Sequence, residues 1–293
     1  MNFQRMARWN KTFHQPYPYY YTGIAVGYLA AIIFLMSMGF NYLFEPFNVY
    51  QPEHRMDYFW ISMVHSLNAL FVALVWFGGW NSLINYEKWT IGKEMLLIAG
   101  YLLLVGISQF LVRDIIYDNP LNWTGRYLWE EIRNTFLVGI LFAFILVPLN
   151  FWRLQRNHSI QAAHFHAIPH GIQTLPYPKP VFIETRQKSD DFVIDPVEFL
   201  LAKAEGNYLE VYVAAGAKTE KLIKRMTLKD LESQLAHLPN FCKTHRSYLV
   251  NLDKVDLVKG NAQGLQLVIP GFSFTVPVSR TMIPKFEQQF TIQ

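Results

Sequence analysis

A cluster of polar side chains interrupts an apolar run in "FCKTHRSYLVN", residues 241–251. Lys243, His245, Arg246 and Ser247 fall within five positions, and apolar residues resume on both sides. Arginine can donate two hydrogen bonds to a guanine base, and lysine can bind phosphate. The cluster therefore predicts a surface loop that contacts a charged partner. For His245 a structural role, in which the ring holds the loop, remains an equal alternative.

The segments around this cluster alternate apolar and polar residues, a period that indicates β-strands. "YLEVYVA" is one such segment, and "AAGAKT" after it predicts a hairpin turn. "TLKDLESQLAHL" instead has helical spacing and a capping box formed by Thr227 and Asp230, and Pro239 ends it. The last 113 residues, 181–293, are therefore predicted to form a mostly-β unit with a short helix.

Charge is distributed unevenly along the chain. Charged residues make up only 16% of the whole sequence, below the roughly 25% of soluble domains. Residues 181–293 nevertheless carry 14 Lys and Arg and 13 Asp and Glu, an ordinary density for a soluble domain. A net charge of +1 does not by itself indicate a nucleic-acid-binding protein.

Four apolar stretches approach the ~20 residues that cross a bilayer. Trp and Tyr cluster at their ends, as at membrane interfaces. A soluble helical core is the alternative, but "GIAVGYLAAIIFLMSMGF" has no polar stripe. We predict an all-α transmembrane bundle over residues 1–152. Its four spans are Gly23–Phe44, Tyr58–Trp80, Met95–Val112 and Thr135–Trp152.

Basic residues near the spans predict the orientation of the bundle. Three precede the first span and two follow the fourth, whereas the first loop has only Arg55. The third loop is the exception, because it carries three arginines among four acidic residues. An excess of Lys and Arg marks the cytoplasmic side, so both termini are predicted to be cytoplasmic.

His65 lies inside the second span, on one helix face with two serines and an asparagine. An ionisable residue at this depth suggests a site that senses a signal in the membrane. The favoured alternative is a hydrogen bond to a neighbouring span, through Ser108 or Gln109.

Residues 153–180 are rich in proline and histidine, which predicts a solvated cytoplasmic linker. A metal site is the weaker alternative, because Pro169 would interrupt a helix and no cysteine or acidic ligand is near. We therefore predict no metal and no cofactor. The histidines concerned are His158, His164, His166 and His170.

The order of "EGNY", a hairpin, "TLKDLESQL", "HRSYLVN" and "PVSR" resembles a LytTR-type DNA-binding domain over residues 181–293. The resemblance implies a mostly-β fold that reads double-stranded DNA through loops in the grooves. It places the DNA-binding side chains at Asn207, Lys243, His245, Arg246 and Arg280, with Lys243 as a phosphate contact. From their charge alone, Lys224, Arg225 and Lys229 are further candidate phosphate contacts.

Two residues depart from the family pattern. Cys242 occupies a position where a polar or bulkier residue is common, and we expect it to be buried. Pro284 falls early in the last predicted helix, so that helix is expected to start late or to be kinked.

Enzyme motifs such as GxxxxGK[ST], HExxH and GxSxG are missing, so no enzymatic activity is predicted. The predicted function is a membrane-anchored one-component transcription regulator in a bacterial cytoplasmic membrane. We expect its partners to be DNA, the lipid bilayer, a second copy in a homodimer, and an unidentified signal or membrane protein. The rival hypothesis is a membrane binding or transport protein whose β domain binds protein.

Overall fold

The structure, a computed structural model, describes residues 12–47, 50–80, 84, 88–166, 179–185, 187–216 and 218–291. The chain divides into two compact units, Met1–Phe151 and Trp152–Gln293. The first is helical and the second is mostly β, as the sequence predicts.

Among the described residues, four helices are long and apolar enough to cross a membrane. The first two agree with the predicted spans to within one residue, because apolar stretches of this length leave little choice of boundary. The helices are α1 (Ile24–Phe44), α2 (Tyr58–Trp80), α3 (Ile91–Leu111), the short α4 (Arg113–Ile116) and α5 (Gly125–His166).

Helix α3 begins four residues before the predicted boundary, with Thr90 as its N-cap. The added turn contains Glu94, a charged residue directly before the apolar stretch that defined the predicted span. Tyr20 and Tyr21 donate hydrogen bonds to this carboxylate at 2.8 and 2.6 Å, and Trp89 donates a third at 2.8 Å. These three donors offset the cost of burying the carboxylate.

Helix α5 extends past the predicted fourth span at both ends and continues to His166. Residues 153–166 of the predicted solvated linker are therefore helical. The prediction followed the end of the apolar stretch, but polar residues do not end a helix. Residues 167–178, which include His170, lie outside the described residues, and of His166 only the main chain is described.

His65 forms the hydrogen bond predicted for it. Its Nδ1 lies 2.7 Å from Oε1 of Gln109 on α3, and the Gln109 amide donates to the His65 carbonyl at 2.9 Å. Asn68 donates to Ser108 one turn along. Polar residues of α2 thus join it to α3.

In its described residues the second unit contains three antiparallel sheets. A five-stranded sheet has the order β5-β4-β3-β7-β6, a three-stranded sheet has the order β10-β9-β8, and β1 pairs with β2. The elements are β1 (Val181–Ile183), β2 (Phe192–Ile194), β3 (Phe199–Glu205), β4 (Tyr208–Ala215), β5 (Lys218–Lys224), α6 (Leu228–Gln234), β6 (Phe241–His245), β7 (Tyr248–Asn251), β8 (Leu257–Asn261), β9 (Gly264–Val268), β10 (Val276–Val278) and α7 (Ile283–Thr291).

Two apolar cores pack on the five-stranded sheet. One contains Leu231 of α6 together with residues of β1 and β2. The other contains Leu267 of β9, Phe286 of α7 and Phe165 near the end of α5. The predicted capping box of Thr227 and Asp230 begins α6.

Both departures from the family pattern fit the fold. Cys242 is buried, as expected, and burial raises the pKa of its thiol to about 11, so that little thiolate forms. Pro284 is the second residue of α7, in the first turn, where its missing N–H has no helical partner to lose.

Candidate nucleic-acid interface

Asn207 lies at the tip of the hairpin between β3 and β4. Glu205 and Tyr208 are paired across the turn, so Gly206 and Asn207 form a two-residue connection. Gly206 has φ 60°, a left-handed conformation that glycine adopts without a Cβ penalty. The side chain of Asn207 is exposed at this tip.

Arg246 lies at the tip of a second two-residue turn, between β6 and β7. His245 pairs with Tyr248 across it, and Arg246 is exposed. The main-chain N–H of Ser247 donates to Nδ1 of His245 at 3.2 Å. This bond leaves Nε2 as the protonated ring nitrogen in the neutral imidazole. His245 therefore supports the turn while its other nitrogen can donate.

A hydrogen bond from a third segment places Arg280 beside the second turn. The pairing of β6 with β7 shifts register between Lys243 and His245, at Thr244. The Thr244 carbonyl accepts from the N–H of Ser279 at 2.8 Å. Arg280 follows directly and is exposed.

The two turns lie at the same end of the five-stranded sheet. Strand β3 pairs with β7 with Lys203 opposite Tyr248, and the Ala204 N–H donates to the Ser247 carbonyl at 2.9 Å. Asn207, Arg246 and Arg280, separated by up to 73 positions in sequence, therefore project from one end of the domain.

The candidate phosphate contacts differ in their surroundings. Lys224, opposite Leu209 on β4, is at the same sheet end, but its Nζ donates to the Asp190 carbonyl at 2.9 Å. Arg225, which follows it, is exposed, as is Lys229 on α6. Lys243 pairs with Glu232 at 3.0 Å. To bind a phosphate, Lys243 would have to break its ion pair with Glu232.

Acidic groups near Asn207 are balanced by a lysine. Lys203 lies 2.7 Å from Glu205 and 3.9 Å from Glu210. The hydrogen bond to Glu205 raises the pKa of Lys203, which keeps this lysine charged. The pairing reduces the repulsion that Glu205 would exert on a DNA phosphate.

His158, near the end of α5, is a neighbour of Arg280 that the sequence analysis did not link to the interface. Its Nδ1 lies 2.6 Å from the Asn261 carbonyl, and Gln161 donates to Glu287 on α7 at 2.6 Å. Burial lowers the pKa of His158, the Asn261 carbonyl opposes this, and the charge of Arg280 lowers it further. No local pattern could reveal a contact across 103 positions.

We expect the fragment Trp152–Gln293 to lose stability as the pH falls below about 6.5, the ordinary pKa of histidine. A histidine whose folded pKa is lowered is protonated more readily in the unfolded chain, so acid favours unfolding. The contribution of His158 is complete above its unfolded pKa and is lost as the pH falls towards the lower folded pKa. Urea titrations at pH 5.5 and 7.5 measure this, and His158→Gln should show a smaller difference than wild type. If the stability of His158→Gln differed between the two pH values as much as that of wild type, the role assigned to His158 would be wrong.

Asn251, the last residue of "HRSYLVN", is structural. It is 1% exposed, and its amide donates at 3.0 Å to the carbonyls of both Pro196 and Phe199. Its Oδ1 accepts from the Asp253 N–H at 3.1 Å. Asn251 thus ties the end of β7 to the start of β3.

Asn251→Leu is expected to lower the free energy of unfolding of the fragment Trp152–Gln293 by about 3 kcal/mol, because buried main-chain groups lose their partners. Urea titration measures the change. Gln263→Leu, at an exposed turn residue, is the control and should remain within about 0.5 kcal/mol of wild type. Equal effects of the two substitutions would show that the amide contacts are not needed.

Comparison with known proteins identifies the C-terminal domain. Residues 190–291 match the family model of the LytTr DNA-binding domain. An uncharacterized response regulatory protein of Vibrio cholerae is 34% identical over 103 residues, which are 35% of this chain and 38% of that protein. The sensory transduction protein LytT of Oceanobacillus iheyensis is 37% identical over 91 residues, 30% of this chain and 35% of that protein.

A solved structure also resembles this region. It is the LytTr DNA-binding domain of a protein described as a methyl-accepting/DNA response regulator from Bacillus cereus, 18% identical, with a TM-score of 0.29. The similarity covers 38% of this chain and 96% of that one.

The C-terminal domain of this chain is therefore a LytTR DNA-binding domain, preceded by four long apolar helices. The chain spans 38% and 35% of the length of the two relatives, so the match concerns this domain and not the whole proteins.

Proposed function

We propose that this protein is a membrane-anchored transcription regulator that binds specific DNA sequences through the sheet end bearing Asn207, Arg246 and Arg280. Residues 1–152 would form the membrane domain and residues 181–293 the DNA-binding domain. The convergence of these three exposed side chains at one end of the sheet is the observation that carries the proposal.

The chemistry of the three side chains suits sequence reading. Arg246 and Arg280 can each donate two hydrogen bonds to guanine O6 and N7, and Asn207 can do the same for adenine N6 and N7. Because each of the two hairpin turns is only two residues wide, it can enter a groove. Arg225 and Lys229 would add affinity through phosphates without contributing to sequence preference.

Selection of DNA from a random duplex pool by the fragment Trp152–Gln293 tests the proposal. We expect a common sequence to be enriched and to bind at least ~10³-fold more tightly than a scrambled duplex. Two repeats spaced by about one helical turn would support binding as a homodimer. A fragment that enriches no sequence would contradict the proposal and favour the rival, a β domain that binds protein.

Membrane placement is supported by the length and apolar character of α1, α2, α3 and α5. We propose that both termini are cytoplasmic, since the DNA-binding domain must reach DNA. Reporter fusions after Asn48, Trp89, Asn119 and Ile172 should report outside, inside, outside and inside. A cytoplasmic signal at Asn119 would contradict this topology.

A further inference from the structure

An elongated cavity runs through the helical unit, with a volume of about 610 Å³. This volume is within the range of about 300–1,000 Å³ for sites that bind small molecules. Along α2 its lining extends from Tyr58 to Phe77, which corresponds to about 28 Å of helix. The cavity therefore follows the helices for nearly the thickness of the hydrocarbon core of a bilayer.

A volume of about 610 Å³ along these helices leaves room for a hydrocarbon chain, whose carbon atoms approach their neighbours to ~3.5–4.0 Å.

The two ends of the cavity differ in polarity. Near Phe77 the lining is mostly apolar and includes Leu29, Ile98, Leu102 and Leu146. Near Tyr58 it is charged; we call this end the charged mouth, lined by Glu53, Arg113, Arg126, Glu130, Glu131 and Arg133. A ligand that matches both ends must be amphiphilic.

Contacts within the charged mouth indicate the sign of the ligand. Arg113 pairs with Glu131, and Arg133 with Glu130 at 3.5 Å. Glu53 accepts a hydrogen bond from Asn119 at 2.9 Å. Within the part of the chain that the structure describes, Arg126 and Glu53 form no ion pair. The Glu53 carboxylate already accepts from Asn119, so Arg126 is the charge of the mouth with which an anion would pair.

About 10 Å along α2 from Tyr58, His65 and Gln109 are joined by hydrogen bonds and both line the cavity. A chain that fills the cavity would contact this pair and would touch α1, α2, α3 and α5 at once. Filling the cavity can therefore favour one packing of the four helices over another, which is how a ligand shifts a population.

We infer that this cavity binds a single-chain anionic amphiphile, with its acidic head group at Arg126 and its hydrocarbon chain along the helices towards Phe77. The inference extends the proposed membrane placement by naming the class of ligand. It does not depend on DNA binding, because the ligand can be measured without DNA.

Equilibrium binding of radiolabelled hexadecanoate to the full-length protein in detergent micelles tests the inference. We expect saturable binding of one molecule per chain. Hexadecan-1-ol, which keeps the chain but lacks the charge, should compete about ten-fold less well or worse. Sodium acetate and inorganic phosphate, which keep a charge but lack the chain, should not compete at millimolar concentrations.

Two variants with matched controls locate the site. Arg126→Gln should weaken hexadecanoate binding about ten-fold or more, whereas Arg55→Gln, at an arginine outside the cavity that pairs with Asp118, should not. Val138→Trp should block the cavity, whereas Leu137→Trp, at the neighbouring 58% exposed position, should leave binding intact. The elution volume and melting temperature of each variant are compared with those of the wild-type protein.

Several results would overturn the inference. They are wild-type affinity in both Arg126→Gln and Val138→Trp, equal competition by hexadecan-1-ol, displacement by phosphate, and absence of saturable binding to the wild type. The ligand measurements on the wild-type protein stand even if a variant fails to fold. Neither a positive nor a negative result changes the outcome of the DNA selection, so the two proposals can fail separately.

Discussion

Arg246→Ala is expected to weaken binding of the fragment Trp152–Gln293 to its selected DNA sequence by about 1–3 kcal/mol, or roughly 5- to 150-fold. Arg246 is exposed at the tip of the β6–β7 turn, where its guanidinium can reach a base edge. Arg280→Ala should cause a loss of the same size, because the bond from Ser279 to Thr244 places Arg280 beside that turn.

Binding to a scrambled duplex should change much less in both variants, since non-specific binding depends on phosphates. Lys229→Ala is the matched control on the surface of α6. If Lys229 contacts a phosphate, its loss should weaken both duplexes alike and reduce the salt dependence by about one unit. Titrations on both duplexes at several salt concentrations measure these effects. Equal losses on both duplexes for Arg246→Ala would make it a phosphate contact instead.

Phe165→Ala is expected to lower the free energy of unfolding of the same fragment by about 3–5 kcal/mol. Phe165 is 4% exposed, and its ring centroid lies 5.2 Å from that of Phe286 and 5.4 Å from that of Phe290. The substitution would leave a cavity between the end of α5 and α7. A fragment that begins at residue 181 would lack Phe165 altogether and should be less stable for the same reason.

Ile160→Ala is the control for Phe165, because Ile160 lies on the same helix but is 51% exposed. It should cost less than about 1 kcal/mol. Urea denaturation monitored by circular dichroism measures both. A loss below about 1 kcal/mol for Phe165→Ala would show that the helix end does not pack stably on the domain.

The close approach of this helix end to β8 depends on a glycine. A Cβ added to Gly260 would lie 2.0 Å from the carbonyl oxygen of His158, so any larger residue would displace the helix. The sequence shows Gly260 only as an isolated glycine within a strand-like segment. A glycine is needed at this position because residues about a hundred positions away lie close to its main chain.

Local patterns in the sequence determined most of the secondary structure. The apolar stretches predicted α1 and α2 nearly to the residue, since covering a bilayer's thickness requires about 20 consecutive apolar residues. Alternation with period two predicted the strands, and the capping box predicted the start of α6, because these signals involve residues close in sequence. The motif order in residues 181–293 predicted the DNA-binding domain that the family match confirms.

The tertiary structure alone decided which of these elements meet. The pairing of β3 with β7 and the bond from Ser279 to Thr244 bring Asn207, Arg246 and Arg280 to one end of the sheet. The packing of the end of α5 depends likewise on the contacts of Phe165 with Phe286 and Phe290. Such contacts join distant segments, and their free energy comes from burying apolar surface and pairing main-chain groups that no local window contains. For this reason the sequence could name the candidate DNA-binding residues but not their arrangement.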